Sequence, residues 1–401
     1  PYATLSRSGA VIPFDPAGPL PEGTVLLQAS AGTGKTYAIA ALATRYLAEG
    51  RVAVDNLAVI SFSRVASDEL RTRVRTRLRD SAAVLADAVA GRSLDGLDAG
   101  YAALCTGTRT ELAERERHLR AAISGLDSAG IMTIHQFCEA MFDELGIQAV
   151  EDPGARLVED LTVVREQVVE DLYLARYANA AEPPFNLATA HRLGMDAVRF
   201  PDLGLVPADA TGVAAERMGF AAGVRQEPAA RKRLLGVYSF DDQLLRLRDS
   251  LVAAGPVGAE RLRRRCRVVL VDEFQDTDPV QWAILRDTFA GHVPLVLIGD
   301  PKQAIYGFRG ADVAAYVEAV ATSGEQFSLT VNHRADPGVV TGVSGLFGSV
   351  SLGPEVDVEP VTAAHPGPRL LRRGVAGPAV RLRWVESANP LARNEARRRI
   401  D

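Results

Sequence analysis

At 401 residues, with 47% hydrophobic and 24% charged side chains, the chain exceeds one ordinary domain and has apolar material for at least one full core. Cys105, Cys138 and Cys266 lie far apart with no CxxC or Cys/His spacing, which argues against a disulfide framework or zinc site and fits a reducing cytoplasm; no apolar run approaches a membrane span. The formal charge of −5 bears on solubility and leaves nucleic-acid binding open, because that depends on local patches.

The first residue is Pro, not Met, so a trimmed chain or a fragment is expected. A short apolar run at 25–28 ends in a glycine-rich loop, after which Ile39, Leu42, Ala43, Tyr46 and Leu47 recur at helical spacing as far as Gly50. A second run at 57–62 precedes an arginine-rich stretch, 64–79, with Val65, Leu70, Val74 and Leu78 interleaved as on an amphipathic helix. Further buried strands are expected at 131–134, 268–271 and 295–298, an alternation with helices that predicts a parallel sheet covered on both faces. Between them, 146–235 is helix-rich and broken by Pro153, Pro183, Pro184, Pro201 and Pro207, and reads as an insertion. From about Leu329 the pattern restarts, with a turn-rich stretch at 351–378, a strand at 379–385 and a helix opening at Leu391. The expected organisation is α/β: a discontinuous motor-type domain (1–145 and 236–328), a helical insertion (146–235) and the beginning of a second α/β domain (329–401).

Ala29-Ser30-Ala31-Gly32-Thr33-Gly34-Lys35-Thr36 fits the phosphate-loop pattern GxxxxGK[ST] except at Ala29, which replaces the first glycine. Glycines let backbone N–H groups wrap an anionic phosphate, and the following helix N-terminus adds a favourable dipole. On this reading Ala31, Gly32, Thr33 and Gly34 cradle the phosphates, Lys35 reaches the terminal ones and the Thr36 hydroxyl ligates Mg²⁺. A glycine-rich turn before a core helix is the plainer alternative, disfavoured by the setting between a buried strand and a helix.

Val268-Val269-Leu270-Val271 runs into Asp272-Glu273, so an apolar strand delivers two carboxylates at its C-terminal end, where open α/β sheets place ligands. Asp272 is expected to hold Mg²⁺ through water and Glu273 to polarise the attacking water, a division suited to metal-assisted phosphoryl transfer. Asp276 and Asp278, just before Pro279, suit helix capping better than catalysis.

Gly299-Asp300-Pro301-Lys302-Gln303-Ala304-Ile305-Tyr306-Gly307-Phe308-Arg309-Gly310-Ala311-Asp312, taken with the phosphate loop and VDEFQDTDPVQ, resembles the UvrD/Rep group of superfamily 1 DNA helicases and, within it, the RecB-type branch. Ser61-Phe62-Ser63 with Arg71 resembles that group's DNA-contacting motif Ia, Thr133-Ile134-His135-Gln136-Phe137-Cys138 a further RecB-type motif, and Ser239-Phe240-Asp241-Asp242 and Asn332-His333-Arg334 two more. The matches run from about residue 14 to 335.

The resemblance implies a RecA-like P-loop motor that uses ATP and Mg²⁺, acts on single-stranded DNA and duplex ends, and works with RecC- and RecD-like subunits in double-strand-break repair. It implies that Gln303 senses the γ-phosphate and Arg334 stabilises transferring charge. It also implies that His333 lies beside the base, where relatives carry Trp or Tyr, and that Phe62, Tyr306 and Phe308 stack on DNA bases. Arg309 is expected to meet DNA phosphate. Arg71 and His135 are candidates on the DNA side, although a charge run is usually a solvated face and His135 has no companion ligands. The group's motifs V and VI and the RecB-type nuclease are expected outside these 401 residues. A catalytically inactive scaffold with the same fold is the alternative, against which Lys35, Thr36, Asp272, Glu273, Gln303 and Arg334 all stand.

Overall fold

The computed structural model describes residues 11–146, 155–158, 160–199, 204–207, 209–304, 313–348, 350–351, 358, 360–369 and 379–381. Two compact units form, one from residues up to Phe137 together with those from Pro256 onward, the other from Cys138–Gly255. The second is broader at both ends than the insertion expected at 146–235.

The first unit opens with β1 (Ile12–Pro13), β2 (Thr24–Ala29), α1 (Lys35–Ala48), β3 (Leu57–Ser61), α2 (Arg64–Val89), α3 (Ala99–Leu104), α4 (Arg109–Ser124), β4 (Gly130–Thr133) and the start of α5 (Ile134–Leu145). In the second unit follow β5 (Arg156–Leu157), α6 (Thr162–Tyr177), α7 (Leu187–Arg199), α8 (Gly212–Leu235), β6 (Val237–Tyr238) and most of α9 (Phe240–Arg265). The chain completes the first unit with β7 (Val268–Val271), α10 (Pro279–Phe289), β8 (Leu295–Gly299), α11 (Val313–Thr322), β9 (Glu325–Leu329), β10 (Val331–Asn332), α12 (Pro337–Phe347) and β11 (Thr362–Ala363).

Seven strands make one sheet in the order β1-β9-β2-β8-β7-β3-β4, every pairing parallel. Alternate residues of its central strands, such as Val25, Leu27, Val59, Leu270, Val296 and Ile298, join a core with α1, α2 and α4. Their neighbours Leu26, Ile60, Val269, Val271 and Leu297 are buried as well, so both faces are covered, which is why these strands read as unbroken apolar runs. On α1 the expected Ile39, Leu42, Ala43, Tyr46 and Leu47 are all buried; on α2 Leu70, Val74 and Leu78 are buried, but Val65 is 79% exposed. β10, α12 and β11 form a separate strand–helix–strand unit whose two strands pair in parallel, Val331 with Thr362 and Asn332 with Ala363. Of the strand expected at 379–385, residues 379–381 are not in a strand and the rest lie outside the described residues.

In the second unit α6, α7 and α8 pack through Val168, Val169, Ala190 and Val224, with Tyr177, Phe185 and Phe220 at their centre. Gly194 permits the close approach of α7, since a Cβ there would come within 2.4 Å of Val169. Asp242 fixes the start of α9: its carboxylate accepts from the Ser239 N–H and hydroxyl, each at 2.8 Å, and pairs with Lys232 at 2.5 Å. Burial pushes the Asp242 carboxyl up, but the Lys232 and Ser239 bonds outweigh it and leave it below the usual carboxylate range. α9 breaks at Gly255, whose φ is +58, with Pro256 next. Among the described residues no helix is long and apolar enough to cross a membrane.

Candidate nucleotide and nucleic-acid site

The loops after β2, β7 and β8 all leave the carboxyl ends of parallel strands, with β8 lying between the other two. After β2 the chain turns through Gly32 and Gly34, at φ +82 and +94, values that disfavour any side chain. Gly34 is the N-cap of α1, so Lys35 and Thr36 occupy its first turn and backbone N–H groups point into the loop. Thr33 is buried and its hydroxyl donates to the Ser30 carbonyl at 2.7 Å, closing the turn.

After β7, Asp272 is buried and its neighbour Glu273 adopts φ +50, the sole positive φ of a non-glycine among the described residues. Lys35 Nζ lies 2.5 Å from Glu273 Oε2, with the two side chains 12% and 32% exposed. Residues 238 positions apart are thereby brought to one point. Burial, and after it the adjacent Glu273 charge, push the Asp272 carboxyl up to about 6, with Lys35 opposing. A buried carboxylate destabilised in this way suits a cation. Among the described residues no cluster of three or more His, Cys, Asp or Glu could hold a metal by itself. The groups here that could hold Mg²⁺ are the Asp272 carboxylate and the Thr36 hydroxyl in the first turn of α1, oxygen donors that suit that ion. Asp278 caps α10, accepting from the Val280 and Gln281 N–H groups at 2.8 Å each, the structural role its place before Pro279 suggests.

After β8, the buried Asp300 accepts from Gln303 Nε2 at 2.7 Å and pairs with Lys302 Nζ at 2.9 Å. Gln275, which nothing in the motif spacing singles out, bridges the second and third loops. Its Nε2 donates to Glu273 Oε2 at 2.7 Å and its Oε1 accepts the Asp300 N–H at 2.8 Å.

The Asn332-His333-Arg334 turn lies directly against the phosphate loop. Asn332 Nδ2 donates to the Ala31 carbonyl at 3.0 Å, and the His333 N–H donates to the Gly32 carbonyl at 2.8 Å. Asn332 Oδ1 accepts from the Arg334 and Ala335 N–H groups at 2.9 and 2.8 Å, fixing the backbone of the following turn. The His333 ring flanks Gly34, 4.0 Å from where a Cβ would sit there. Asn332 belonged to a readable motif, but its role as the clip on the loop appears only in three dimensions.

On the expected DNA side, Phe62 follows β3 and, with Ser61, Ile134, Thr277 and Gln281, lines a cavity of about 20 Å³ that reaches Asp272 and Glu273. The Arg71 guanidinium is engaged internally, donating to the Ile131 carbonyl at 2.5 Å and to Asp68 at 3.1 Å, a tie between α2 and β4. His135 is half-buried in the first turn of α5. Tyr306, Phe308 and Arg309 lie outside the described residues.

A phosphate loop and an acidic pair converging at the carboxyl edge of a parallel sheet define a RecA-like P-loop NTPase domain. The pattern of the UvrD/REP helicase N-terminal domain matches residues 16–322, and the chain belongs to that family. It is similar to the RecBCD enzyme subunit RecB of Mycolicibacterium smegmatis, at 41% identity over 364 residues, 89% of this chain and 33% of that protein. The subunit of the same name from Mycobacterium tuberculosis is 40% identical over 365 residues, again 89% and 33% of the two chains. That of Escherichia coli is 26% identical over 502 residues, 91% of this chain and 41% of the relative. The chain thus spans a third to two-fifths of the length of these relatives.

Proposed function

We propose that this chain is the ATP-hydrolysing portion of a DNA helicase or translocase subunit of the RecBCD type, acting in the cytoplasm on single-stranded DNA and duplex ends alongside RecC- and RecD-like subunits. The observation that carries the proposal is the meeting of Lys35 and Glu273 at 2.5 Å. A cation built to bind the terminal phosphates and a carboxylate able to take a proton from water are held in one place. The names of the relatives, each a RecBCD enzyme subunit, support the substrate and the assembly.

On this reading the backbone N–H groups of Ala31, Gly32, Thr33 and Gly34, with Lys35, bind and orient the phosphates of ATP. Thr36 and Asp272 would hold Mg²⁺, which when bound would supply charge neutralisation for phosphoryl transfer. Glu273 accepts a proton from the water whose oxygen bonds to the γ-phosphorus as the bond to the bridging oxygen breaks, releasing ADP and phosphate. His333 at the rim faces the base, while Gln303 and Arg334 answer the γ-phosphate. Phe62, with Tyr306, Phe308, Arg309 and, more weakly, Arg71 and His135, forms the DNA side. Residues 1–145 and 236–328 are read as the first motor domain, 146–235 as its helical accessory insertion and 329–401 as the opening of a second RecA-like domain. The parallel β10–α12–β11 unit supports that last assignment.

Steady-state ATP turnover by the protein at full natural length, with and without single-stranded DNA, tests the proposal. DNA is expected to raise turnover, and a rate indifferent to DNA contradicts it.

A further inference from the structure

Glu273 carries its carboxylate on a left-handed backbone, so the direction of that carboxylate depends on the groups that hold it. Two donors share the same oxygen, Lys35 Nζ at 2.5 Å and Gln275 Nε2 at 2.7 Å. On the proposed function Lys35 has the phosphates as its other task, whereas Gln275 is buried, 4% exposed. Its second amide atom is committed as well, with Oε1 accepting the Asp300 N–H at 2.8 Å. Gly299 leaves room for this: a Cβ there would fall 2.7 Å from Gln275 Oε1.

These partners fix the amide's orientation by chemistry alone. A carboxylate can only accept and a backbone N–H can only donate, so a flipped Gln275 would lose both bonds. One buried side chain therefore joins the carboxylate after β7 to the loop after β8, where Asp300 in turn holds Gln303 at 2.7 Å.

We propose that Gln275 is a positioning residue for ATP hydrolysis: it aims the Glu273 carboxylate and couples it to the Asp300–Gln303 loop, so that a shift of that loop is felt at the base. The inference rests on the assignment of Glu273 as the proton acceptor.

Gln275→Met, close in volume but with neither donor nor acceptor, removes both bonds, and Gln275→Glu keeps the acceptor for the Asp300 N–H while setting a second carboxyl against Glu273 in place of the amide donor. Both are made in the full chain, beside Glu273→Gln. Losing a hydrogen bond to a charged group is expected to lower kcat by on the order of tenfold to a hundredfold. KM for ATP and the affinity for ADP should stay within about threefold of the parent, since binding energy unaffected by the base is retained. Affinity for ADP–aluminium fluoride, a mimic of the transferring phosphoryl group, should fall together with kcat. Adding Gln275→Met to Glu273→Gln should cause no further loss. If Gln275→Met fails to fold, Gln275→Glu, whose Asp300 bond is kept, still tests whether replacing the donor to Glu273 lowers kcat and affinity for the analogue while leaving ADP affinity in place. Unchanged kcat and unchanged affinity for the analogue overturn the proposal. So does a parallel fall in ADP affinity and kcat, which would mark Gln275 as structural only. An unsubstituted chain that binds neither ADP nor the analogue overturns the motor reading instead, a result visible before any substitution is made.

Discussion

Lys35 and Glu273 illustrate why two adjacent functions need different chemical groups. On the proposed reading the lysine contributes a charge that does not have to change during turnover, whereas the glutamate has to take up a proton. Glu273→Gln keeps the size of the side chain and can still meet Lys35 and Gln275, but it cannot act as a base. The expected outcome is ATP and Mg²⁺ binding close to that of the parent with hydrolysis reduced by at least about 10²-fold, the range typical of a lost general base. Equilibrium binding measured beside single-turnover hydrolysis checks this. Loss of nucleotide binding in that variant would move Glu273 into a purely structural role.

At the scale of elements, the phosphate loop is held in shape from outside as much as from within. Gly32 is wedged beneath the Asn332–Arg334 turn, where a Cβ would lie 2.7 Å from Arg334 Cβ at a φ of +82. Gly32→Ala therefore combines backbone strain of about 1–3 kcal/mol with a steric clash, and nucleotide binding should be lost. Asn332→Ala removes the clip to Ala31 and leaves the Arg334 and Ala335 N–H groups without their acceptor. Nucleotide affinity measured by calorimetry should fall on the order of tenfold, the equivalent of one hydrogen bond's net contribution. In the second unit, Asp242 has its carboxyl held below the usual range, so its contribution to stability is present above the ordinary carboxylate pKa and fades as pH falls through its own lowered value. Thermal unfolding should show Asp242→Ala about 1–3 kcal/mol less stable at pH 7, with the difference narrowing in acid. Much of this architecture is legible in the chain because its parts are local. Strand, loop and helix follow one another at Lys35, and strand and carboxylates at Asp272. What escapes is the half-exposed strand β9 between β1 and β2, too polar to read as buried, and every bond that joins distant loops. Gln275 looks like a spacer until β8 is placed beside β7. Arg71 belongs to an arginine run that suggests phosphate contacts, yet its guanidinium reaches the Ile131 carbonyl, a partner that only the pairing of β3 with β4 brings near.

For the molecule as a whole, nucleotide binding and turnover make different demands. The phosphate loop, Asp272 and His333 all lie within residues 1–401, so this chain produced alone should bind ADP, though weakly. On the proposed reading turnover needs cationic groups closing over the γ-phosphate from a second motor domain, and loss of one such arginine in related phosphoryl-transfer sites costs on the order of 10³-fold or more. Residues 1–401 alone are therefore expected to show little ATP hydrolysis and no unwinding even with single-stranded DNA. A fragment that separated duplex DNA processively would contradict this account of the cleft. The central claim, that the meeting of Lys35 with Glu273 is the engine of a DNA-driven motor, is tested most directly by Lys35→Ala in the full-length protein. DNA-stimulated ATP turnover is measured there beside a circular-dichroism check of the fold. The account predicts an intact fold with stimulated turnover abolished; turnover undiminished by the substitution would contradict it.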